Sequence, residues 1–300
     1  MYQILIVMFL LIALGFFLRL IRFFSRDSAT LLNRLVFYVT FPCLVFRSLQ
    51  GAPLDVKLWS IPPLAYVCIG SIFLFSYFFA SHLLKSPVKT SVSFAMGAAF
   101  GNTAFLGYPF VLAFAGERGL PPAIFFDQMG NFLAVYTVGI LFCTYGKTGR
   151  FSLRNVSEMA KLPPFLAFFL AIAMNGISLP PFIEEALRRL ADATVPLTMI
   201  AIGASLSGKH LSHNVKPLLW ASFFKLFILP VSTLLFLRIV SLPTLYRQIM
   251  ILQSATPALM SSYVLASLYE LDTEFSASVI LFTTLVSLLS LPLWGLFLQS

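Results

Sequence analysis

Two stretches of this chain carry chemistry that a plain membrane span does not need. Residues 101–109 read GNTAFLGYP and residues 253–262 read QSATPALMSS, and each interrupts a long apolar run. Proline removes a backbone donor and clashes with the preceding helical turn, while glycine lowers the cost of non-helical backbone. Unwound backbone at membrane depth must be buried in protein or line a wet cavity. Both stretches therefore predict broken helices whose ends and polar side chains form a binding site.

The two ends of a broken helix offer complementary chemistry. N-terminal ends carry free N–H groups and partial positive charge, which attract anions, and C-terminal ends offer carbonyls to a cation. Pro109 and Pro257 break the two helices, and the polar groups beside them are expected to line one space. The simpler interpretation is that these glycines and prolines only kink ordinary membrane helices. The predicted substrate-binding residues are Asn102, Thr103, Pro109, Ser254, Thr256, Pro257 and Ser261.

A second polar group lies inside the apolar run 121–145, the fifth along the chain. Asp127 is followed by Gln128, and Asn131 comes one helical turn later on the same face. An acid inside a membrane segment is a functional-site hypothesis by default. We expect these three residues to couple transport to a proton or Na⁺, or to hold crossing helices together. The alternative is that Asp127 is solvated near the outer interface, and Asp192 allows the same alternative.

The other polar residues within or beside the apolar runs have structural interpretations. Lys225 lies inside the eighth run and is expected to snorkel to the cytoplasmic side. Arg34 and Arg47 are expected to anchor the ends of the second run at the interface. His210 and His213 form H-x-x-H in a basic loop, which favours a solvated loop over a metal site.

The composition places these residues in a membrane protein. Of 300 residues, 59% are hydrophobic and only 10% are charged, whereas a soluble domain carries about 25% charged residues. Lipid must cover this apolar surface, and spans of about 20 residues leave room for roughly ten. The predicted spans are 2–24, 31–49, 59–83, 90–115, 121–145, 163–182, 187–206, 217–239, 246–268 and 275–298.

The basic residues predict the orientation in the membrane. Short loops rich in Lys and Arg stay in the cytoplasm, which puts both termini on the periplasmic or extracellular side of a multi-pass inner (plasma) membrane protein. The net charge of +9 is therefore a topology signal. It does not indicate nucleic-acid binding, because the basic residues form no patch with stacking aromatics. The residues behind this prediction are Arg19, Arg22, Arg26, Lys85, Lys89, Lys147, Arg150, Arg154, Lys161, Lys209 and Lys216.

The chain divides near residue 155 into two halves of about five spans each. An odd number of spans per half predicts an inverted repeat, with 1–155 as the first unit and 156–300 as the second. The two interrupted runs are then the fourth and the ninth, at corresponding positions. Interrupted segments at matching positions of two halves point to the binding site of a transporter.

Several of these motifs resemble the auxin efflux carrier family of membrane permeases. GNTAFLGYPF resembles the family signature N-T-G-F-L-G-x-P, and the resemblance runs in order along the whole chain. The chain departs from the family pattern at Ala104 and Glu270, where glycine is common, and at Thr256, where methionine is common. Further matching segments are LVFYVTFPCLVFRSL (35–49), ATVPLTMIAIGASL (193–206), SATPALMSSYVLASLYELD (254–272) and SVILFTTLVSLLSLPLW (278–294).

The resemblance implies an all-α fold of ten spans in an inverted five-plus-five arrangement. The fourth and ninth spans would cross at Pro109 and Pro257, with Asn102 contacting substrate or ion. A scaffold and a crossover transport domain, both formed from the two halves, would move relative to each other in an elevator mechanism. Bile-acid symporters and some sodium/proton antiporters are distantly similar in architecture.

We therefore expect a secondary or potential-driven transporter of a small organic anion, such as an auxin-like, malate-like or malonate-like carboxylate. The alternative is a sodium- or proton-coupled cation antiporter or symporter that uses Asp127. The sequence does not exclude a channel. An enzyme is disfavoured because no catalytic constellation lies within the spans. No cofactor is expected beyond possible Na⁺ or H⁺ coupling. The expected partners are the anion, the lipid bilayer and, where a flat scaffold surface allows it, a second copy of the chain.

Overall fold

A computed structural model describes residues 2–152, 160–205 and 215–299. Within these ranges the chain is helical and forms no strand beyond one isolated bridge. Four residues discussed above, Arg154, Lys209, His210 and His213, lie outside the described residues.

Each of the ten predicted apolar runs coincides with helical structure, and two of the ten helices come in two pieces. α4 and α9 are the interrupted ones, so the predicted breaks in the fourth and ninth runs are present. The bounds are α1 Tyr2–Leu20, α2 26–50, α3 Leu58–Leu83, α4a Val88–Ala99, α4b Thr103–Ala115, α5 Glu117–Thr148, α6 Pro163–Ala173, α7 Pro181–Ser205, α8 Val215–Ile239, α9a Thr244–Ser254, α9b Ser261–Leu268 and α10 Thr273–Gln299.

Five helices of the described chain are long and apolar enough to cross a membrane by length and composition, namely α2, α3, α5, α8 and α10. Parts of α1, all of α4b and all of α6 are shorter apolar helices. α7 has the length, but its first turns carry the charged sequence EEALRRLAD. The prediction of a polytopic helical membrane protein is thus confirmed at this level, and the inverted repeat stays a prediction.

Local sequence explains where the central helices begin and end. The φ of Gly116 is 66° and that of Gly149 is 71°, and this left-handed conformation, which suits glycine, sets the turns at the two ends of α5. Asp55 Oδ1 accepts a hydrogen bond of 2.9 Å from Leu58 N at the start of α3. Asp272 Oδ1 accepts one of 2.9 Å from Phe275 N at the start of α10. These caps satisfy amide groups that have no partner within the helix.

The helices pack in two groups. α1, α2, α6 and α7 pack on one another, while α3, α4, α5, α8, α9 and α10 form the second group. Backbones approach closely in the first group, because a Cβ on Gly15 would lie 2.1 Å from Ile200 O and one on Gly203 would lie 2.0 Å from Ile12 O. Small residues at such contacts are what helix packing in a membrane favours. The two broken helices both belong to the second group.

Candidate functional site

The two broken helices cross where each one is unwound. Asn102 N donates a hydrogen bond of 2.8 Å to Pro257 O, and Leu259 N donates one of 3.0 Å to Phe100 O. These two bonds form a short antiparallel bridge between the breaks. The bridge satisfies backbone groups that the broken helices cannot pair themselves, as buried backbone requires. The prediction that both interruptions are breaks is confirmed, and the interpretation that they are simple kinks is wrong.

Glycines allow the crossing backbones to come this close. A Cβ on Gly101 would lie 2.5 Å from Thr256 Oγ1 and 3.3 Å from Lys225 Nζ. A Cβ on Gly107 would lie 2.0 Å from Gln253 Oε1. A real Cβ does not lie so close to another atom, so any larger residue at either position would have to displace the side chain of Thr256 or Gln253. Gly101 and Gly107 therefore allow α4 to pack closely against α9.

The break in α4 is held by an amide from α5. Asn131 Nδ2 donates to Gly101 O at 3.0 Å and to Thr103 Oγ1 at 3.1 Å. Asn131 Oδ1 accepts from Gly101 N at 3.1 Å. One side chain thus pairs both backbone groups of Gly101. This geometry places Asn131 as a positioning residue for the crossing.

Asp127 is buried beside the same break, with 4% of its surface exposed. Its carboxylate accepts hydrogen bonds from Thr103 Oγ1, from Tyr108 OH at 2.9 Å and from Gln128 Nε2 at 2.8 Å. The alternative that Asp127 is solvated at the outer interface is therefore wrong. Gln128 Oε1 is buried and has no hydrogen-bond partner among the described residues.

π-helical turns bring these side chains to the crossing. Residues 126–131 of α5, which include Asp127, Gln128 and Asn131, form one such turn. Others cover Thr103–Gly107 in α4b and Phe224–Ile228 in α8. A π-turn adds one residue to a helical turn, changes the direction of the side chains and is frequent at functional sites.

Lys225 does not lie where the sequence pattern predicts. Its side chain is fully buried at 0% exposure, and its Nζ donates a hydrogen bond of 2.7 Å to Ser254 O at the end of α9a. The prediction that it snorkels to the cytoplasmic side is wrong. Lys225 lies ten residues after the first described residue of α8, which is about 15 Å at 1.5 Å per residue. The position of Lys225 in the apolar run already indicates this depth, and a lysine side chain is too short to reach the membrane interface from there.

A cavity of about 450 Å³ reaches the crossing from the end of the molecule where α7 ends and α10 begins. Asn102 lies at its inner end. Asn102 Oδ1 accepts from Phe105 N at 3.2 Å, while its Nδ2 has no hydrogen-bond partner among the described residues. The lining residues are Asn102, Ile202, Ser205, Met260, Tyr263, Thr273, Glu274, Ala277, Ile280, Leu281 and Thr284.

The other predicted substrate residues surround Asn102 in different ways. Thr103, Ser254, Thr256 and Pro257 are buried in the crossing. Ser254 Oγ donates to Ile251 O and Thr256 Oγ1 donates to Gln253 O, each at 2.7 Å. Both hydroxyls are therefore used within the end of α9a. Ser261 is exposed at the first position of α9b.

Pro109 does not lie at the crossing, contrary to what the family resemblance implied. The extended backbone of α4 covers Phe100–Asn102, whereas Pro109 is buried further along, near the start of the α-helical part of α4b. Proline is tolerated there because the first turn of a helix has no use for its missing N–H. The segment just before it, Thr103–Gly107, is the π-helical one.

A second cavity of about 580 Å³ lies at the opposite end. Residues of the unwound breaks do not line it. Arg47 lines this cavity and lies 3.8 Å from Glu117 and 3.7 Å from Asp192, measured from Nη1 to the carboxylate oxygens. Arg47 is thus more than the interface anchor that the sequence suggested, because it connects α2 with the start of α5 and with α7.

Comparison with known proteins identifies the family. The profile described as "Membrane transport protein" matches residues 1–295. The chain belongs to the auxin efflux carrier family. The whole-chain match agrees with the motifs in both broken helices of this family member.

Relatives of this auxin efflux carrier family member carry transporter names. An uncharacterized transporter of Methanocaldococcus jannaschii is 30% identical over 301 residues, covering 98% of this chain and 97% of the relative. An uncharacterized transporter of Escherichia coli strain K12 is 24% identical and covers 94% and 92%. A Rhizobium meliloti protein named "Putative malonate transporter" is 23% identical and covers 85% and 82%. The protein is therefore a multi-pass membrane transporter, and its family and relatives are transporters rather than enzymes.

Proposed function

We propose that this protein carries a small carboxylate across the membrane by alternating access, with the carboxylate bound beside Asn102. The observation that carries this proposal is the cavity of about 450 Å³ whose inner end is the helix crossing. Pockets for small molecules have volumes of about 300–1,000 Å³, so a carboxylate of a few carbons fits with its water. No other cavity described here includes a residue of the two breaks.

The chemistry at the inner end of the cavity favours an anion. The N-terminal ends of α4b and α9b both face this region, because Asn102 caps the first and Met260 precedes the second, and both residues line the cavity. Helix N-termini present free N–H groups and partial positive charge. Asn102 Nδ2 adds a donor. Glu274 also lines the cavity, but it is exposed in the first turn of α10, away from the crossing.

The arrangement of the helices supports alternating access. The crossing lies in the group formed by α3, α4, α5, α8, α9 and α10, which we propose is the transport domain. The group formed by α1, α2, α6 and α7 would be the scaffold. The two cavities lie at opposite ends, and only the one at the end of α7 reaches Asn102. A displacement of the transport domain along the scaffold would open the crossing to the other cavity instead.

The membrane potential can drive the proposed flux. We propose that the Asn102 cavity opens on the cytoplasmic side of a plasma or inner membrane and that both termini lie outside, because short basic loops stay in the cytoplasm. A monovalent anion that leaves the cell gains about 2.3 kcal/mol per 100 mV. Export therefore needs no coupled ion.

The second candidate function is a sodium- or proton-coupled cation antiporter or symporter. It is favoured by the buried carboxylate of Asp127 and the unpaired oxygen of Gln128 beside it, since oxygen ligands suit a hard cation. In this function Asp127 carries the ion, so Asp127→Asn abolishes transport and its pH dependence. In an anion uniporter the same substitution causes a smaller loss.

The experiment is uptake of labelled malonate, malate, lactate and indole-3-acetate into proteoliposomes, with imposed potential, pH and sodium gradients. Asn102→Ala removes the cavity donor and the cap of α4b, and we expect it to reduce the rate at least tenfold. The control is Thr148→Ala, which truncates an exposed side chain at the end of α5 and should leave the rate unchanged. Sodium or proton exchange without carboxylate flux would instead support the antiporter.

A further inference from the structure

The ammonium group of Lys225 lies at the helix crossing without an acidic partner. Its Nζ is fully buried on the π-helical turn of α8. Among the described residues, no carboxylate forms an ion pair with it within 4.0 Å. Asp127, the other buried charge at the crossing, is bound by Thr103, Tyr108 and Gln128 instead. A buried lysine amine without an acidic partner is costly to keep charged, which makes Lys225 a candidate for function.

The group that Lys225 contacts is one that binds ions in transporters with broken helices. Its Nζ donates to Ser254 O, the last carbonyl of α9a, at 2.7 Å. The C-terminal end of a helix carries partial negative charge, and in such transporters these half-helix ends and the unwound carbonyls coordinate Na⁺ or H⁺. The ammonium therefore occupies the position that would attract a coupling cation.

The same ammonium is next to the crossing backbone. A Cβ on Gly101 would lie 3.3 Å from Lys225 Nζ, and Gly101 directly precedes Asn102 at the inner end of the cavity. Lys225 Nζ therefore lies beside the residue that precedes Asn102, in a buried region where a charge would be weakly screened.

We propose that Lys225 is a tethered substitute for a coupling cation: its ammonium occupies the carbonyl end of α9a and supplies the positive charge that a carboxylate at Asn102 needs, so that transport is independent of sodium. This inference rests on the proposed function for its second half only. The first half, that the end of α9a is a cation position filled by Lys225, can be tested without any substrate.

The substrate-free test measures thermal unfolding of the purified full-length protein in detergent, in 100 mM NaCl or 100 mM choline chloride. In the wild type the position is filled, so sodium should give no shift relative to choline. Lys225→Ala vacates the position, and we expect sodium to raise its Tm by roughly 2–4 °C. Lys225→Arg keeps a cation there and is the matched control, with no sodium shift expected. A sodium shift in the wild type, or none in Lys225→Ala, would overturn the inference.

The transport test uses the same variants with Lys225→Met, which removes the charge but keeps an unbranched side chain. Malonate flux in the wild type should be equal in sodium and choline, should fall at least tenfold in Lys225→Met and should stay within about threefold in Lys225→Arg. Wild-type flux that needs sodium, or Lys225→Met with the wild-type KM for malonate, would contradict the inference. Absence of malonate flux in the wild type would refute the proposed function and leave the thermal test to decide on the cation position.

Discussion

The two breaks lie in the fourth and the ninth helix, and they are stabilised by different chemistry. The break in α4 is held by the neutral amide of Asn131, which pairs both backbone groups of Gly101. The break in α9 begins after Ser254, whose carbonyl accepts a hydrogen bond from Lys225 Nζ. In both cases the partner comes from a neighbouring helix, α5 or α8. The backbone groups left unpaired by each break are thus bound by a neutral amide at α4 and by an amine at α9.

This difference separates two tasks at the crossing. An amide can fix backbone geometry without changing the electrostatic potential, so the α4 break is suited to shape and to the presentation of Asn102. An ammonium raises the potential around it, so the α9 break is suited to attract an anion. Asn102 lines the cavity and Lys225 does not. This agrees with direct contact between Asn102 and the anion, and with an electrostatic effect of Lys225 from a distance.

The largest effect should come from removing the amide of Asn131, which holds the break in α4. Asn131→Leu leaves the N–H of Gly101 buried without a partner and leaves its C=O only the 3.4 Å hydrogen bond from Thr103 Oγ1. A buried unpaired group costs about 1–3 kcal/mol. We expect a loss of at least about 1–3 kcal/mol in the free energy of unfolding and no measurable flux, checked by denaturation in detergent and proteoliposome uptake. The control is Met129→Leu on the same helix, a volume-conserving change. Wild-type stability in Asn131→Leu would show that these hydrogen bonds do not hold the break.

A second substitution tests the contact between the two breaks. Gly101→Ala places a Cβ against Thr256 Oγ1, and overpacking of this kind costs about 1–3 kcal/mol. We expect flux to fall at least tenfold. The double variant Gly101→Ala/Thr256→Ala removes the closest contact and should recover part of the flux and stability, measured against Thr256→Ala alone. If the double variant equals Gly101→Ala, steric contact at this position is not the cause.

Substitution of Asp127 tests whether an ion also binds beside the break in α4. Asp127→Asn keeps one oxygen for the donors of Tyr108 and Thr103 but removes the charge. For an anion uniporter we expect a several-fold loss of malonate flux with an unchanged dependence on pH between 6 and 8. Complete loss of flux together with its pH dependence would assign Asp127 to ion coupling and favour the antiporter.

The smallest effect is expected at Glu270, which lies away from both breaks. Its φ is 53°, a left-handed conformation that suits glycine, and glycine is the residue common at this position in the family pattern. Glu270 also forms an ion pair of 2.7 Å with Lys147. Glu270→Ala loses the ion pair and keeps the strained φ, whereas Glu270→Gly loses the pair and relieves the strain. We expect the Tm of the glycine variant to exceed that of the alanine variant by roughly 1–3 °C.

The ion pair adds a pH dependence of known sign. The hydrogen bond and charge of Lys147 lower the pKa of Glu270. The contribution of the pair to stability is therefore present above the ordinary pKa of a glutamate and is lost as the pH falls through the lowered value. Melting curves of the wild type and Glu270→Gln should differ slightly at pH 7 and converge in acid. A difference that grows in acid would contradict this assignment.

Much of the architecture could be predicted from the sequence. The apolar runs located each helix of the described residues, because the length and composition of a span are local properties. The bounds were less accurate: α6 ends at Ala173 and not at 182, and α7 begins at Pro181 and not at 187. The breaks in α4 and α9 were also predictable, because glycine, proline and amide residues inside an apolar run disfavour a continuous helix. Pro109 shows the limit of this reasoning, since proline at the start of a helical segment does not mark the break itself.

The partners at the site were harder to predict. Asn131 was expected on the face of Asp127, but nothing in a local pattern indicates that its amide pairs with Gly101, which is 30 residues away. Lys225 was interpreted as a snorkelling residue because a lysine in an apolar run usually has that role. Its depth in α8 argued against that role, yet only the structure shows that its amine contacts Ser254, 29 residues away.

By itself, the sequence determined that this protein lies in a membrane, where its helices run and where two of them must break. These outcomes follow from transfer free energies and backbone sterics, which act within a few residues. The tertiary structure alone decided that the breaks cross at Asn102 and Pro257, and that Asn131 stabilises one break and Lys225 the other. The physical reason is that a broken helix in lipid must find its missing hydrogen bonds elsewhere in the chain, and packing decides which groups are within reach.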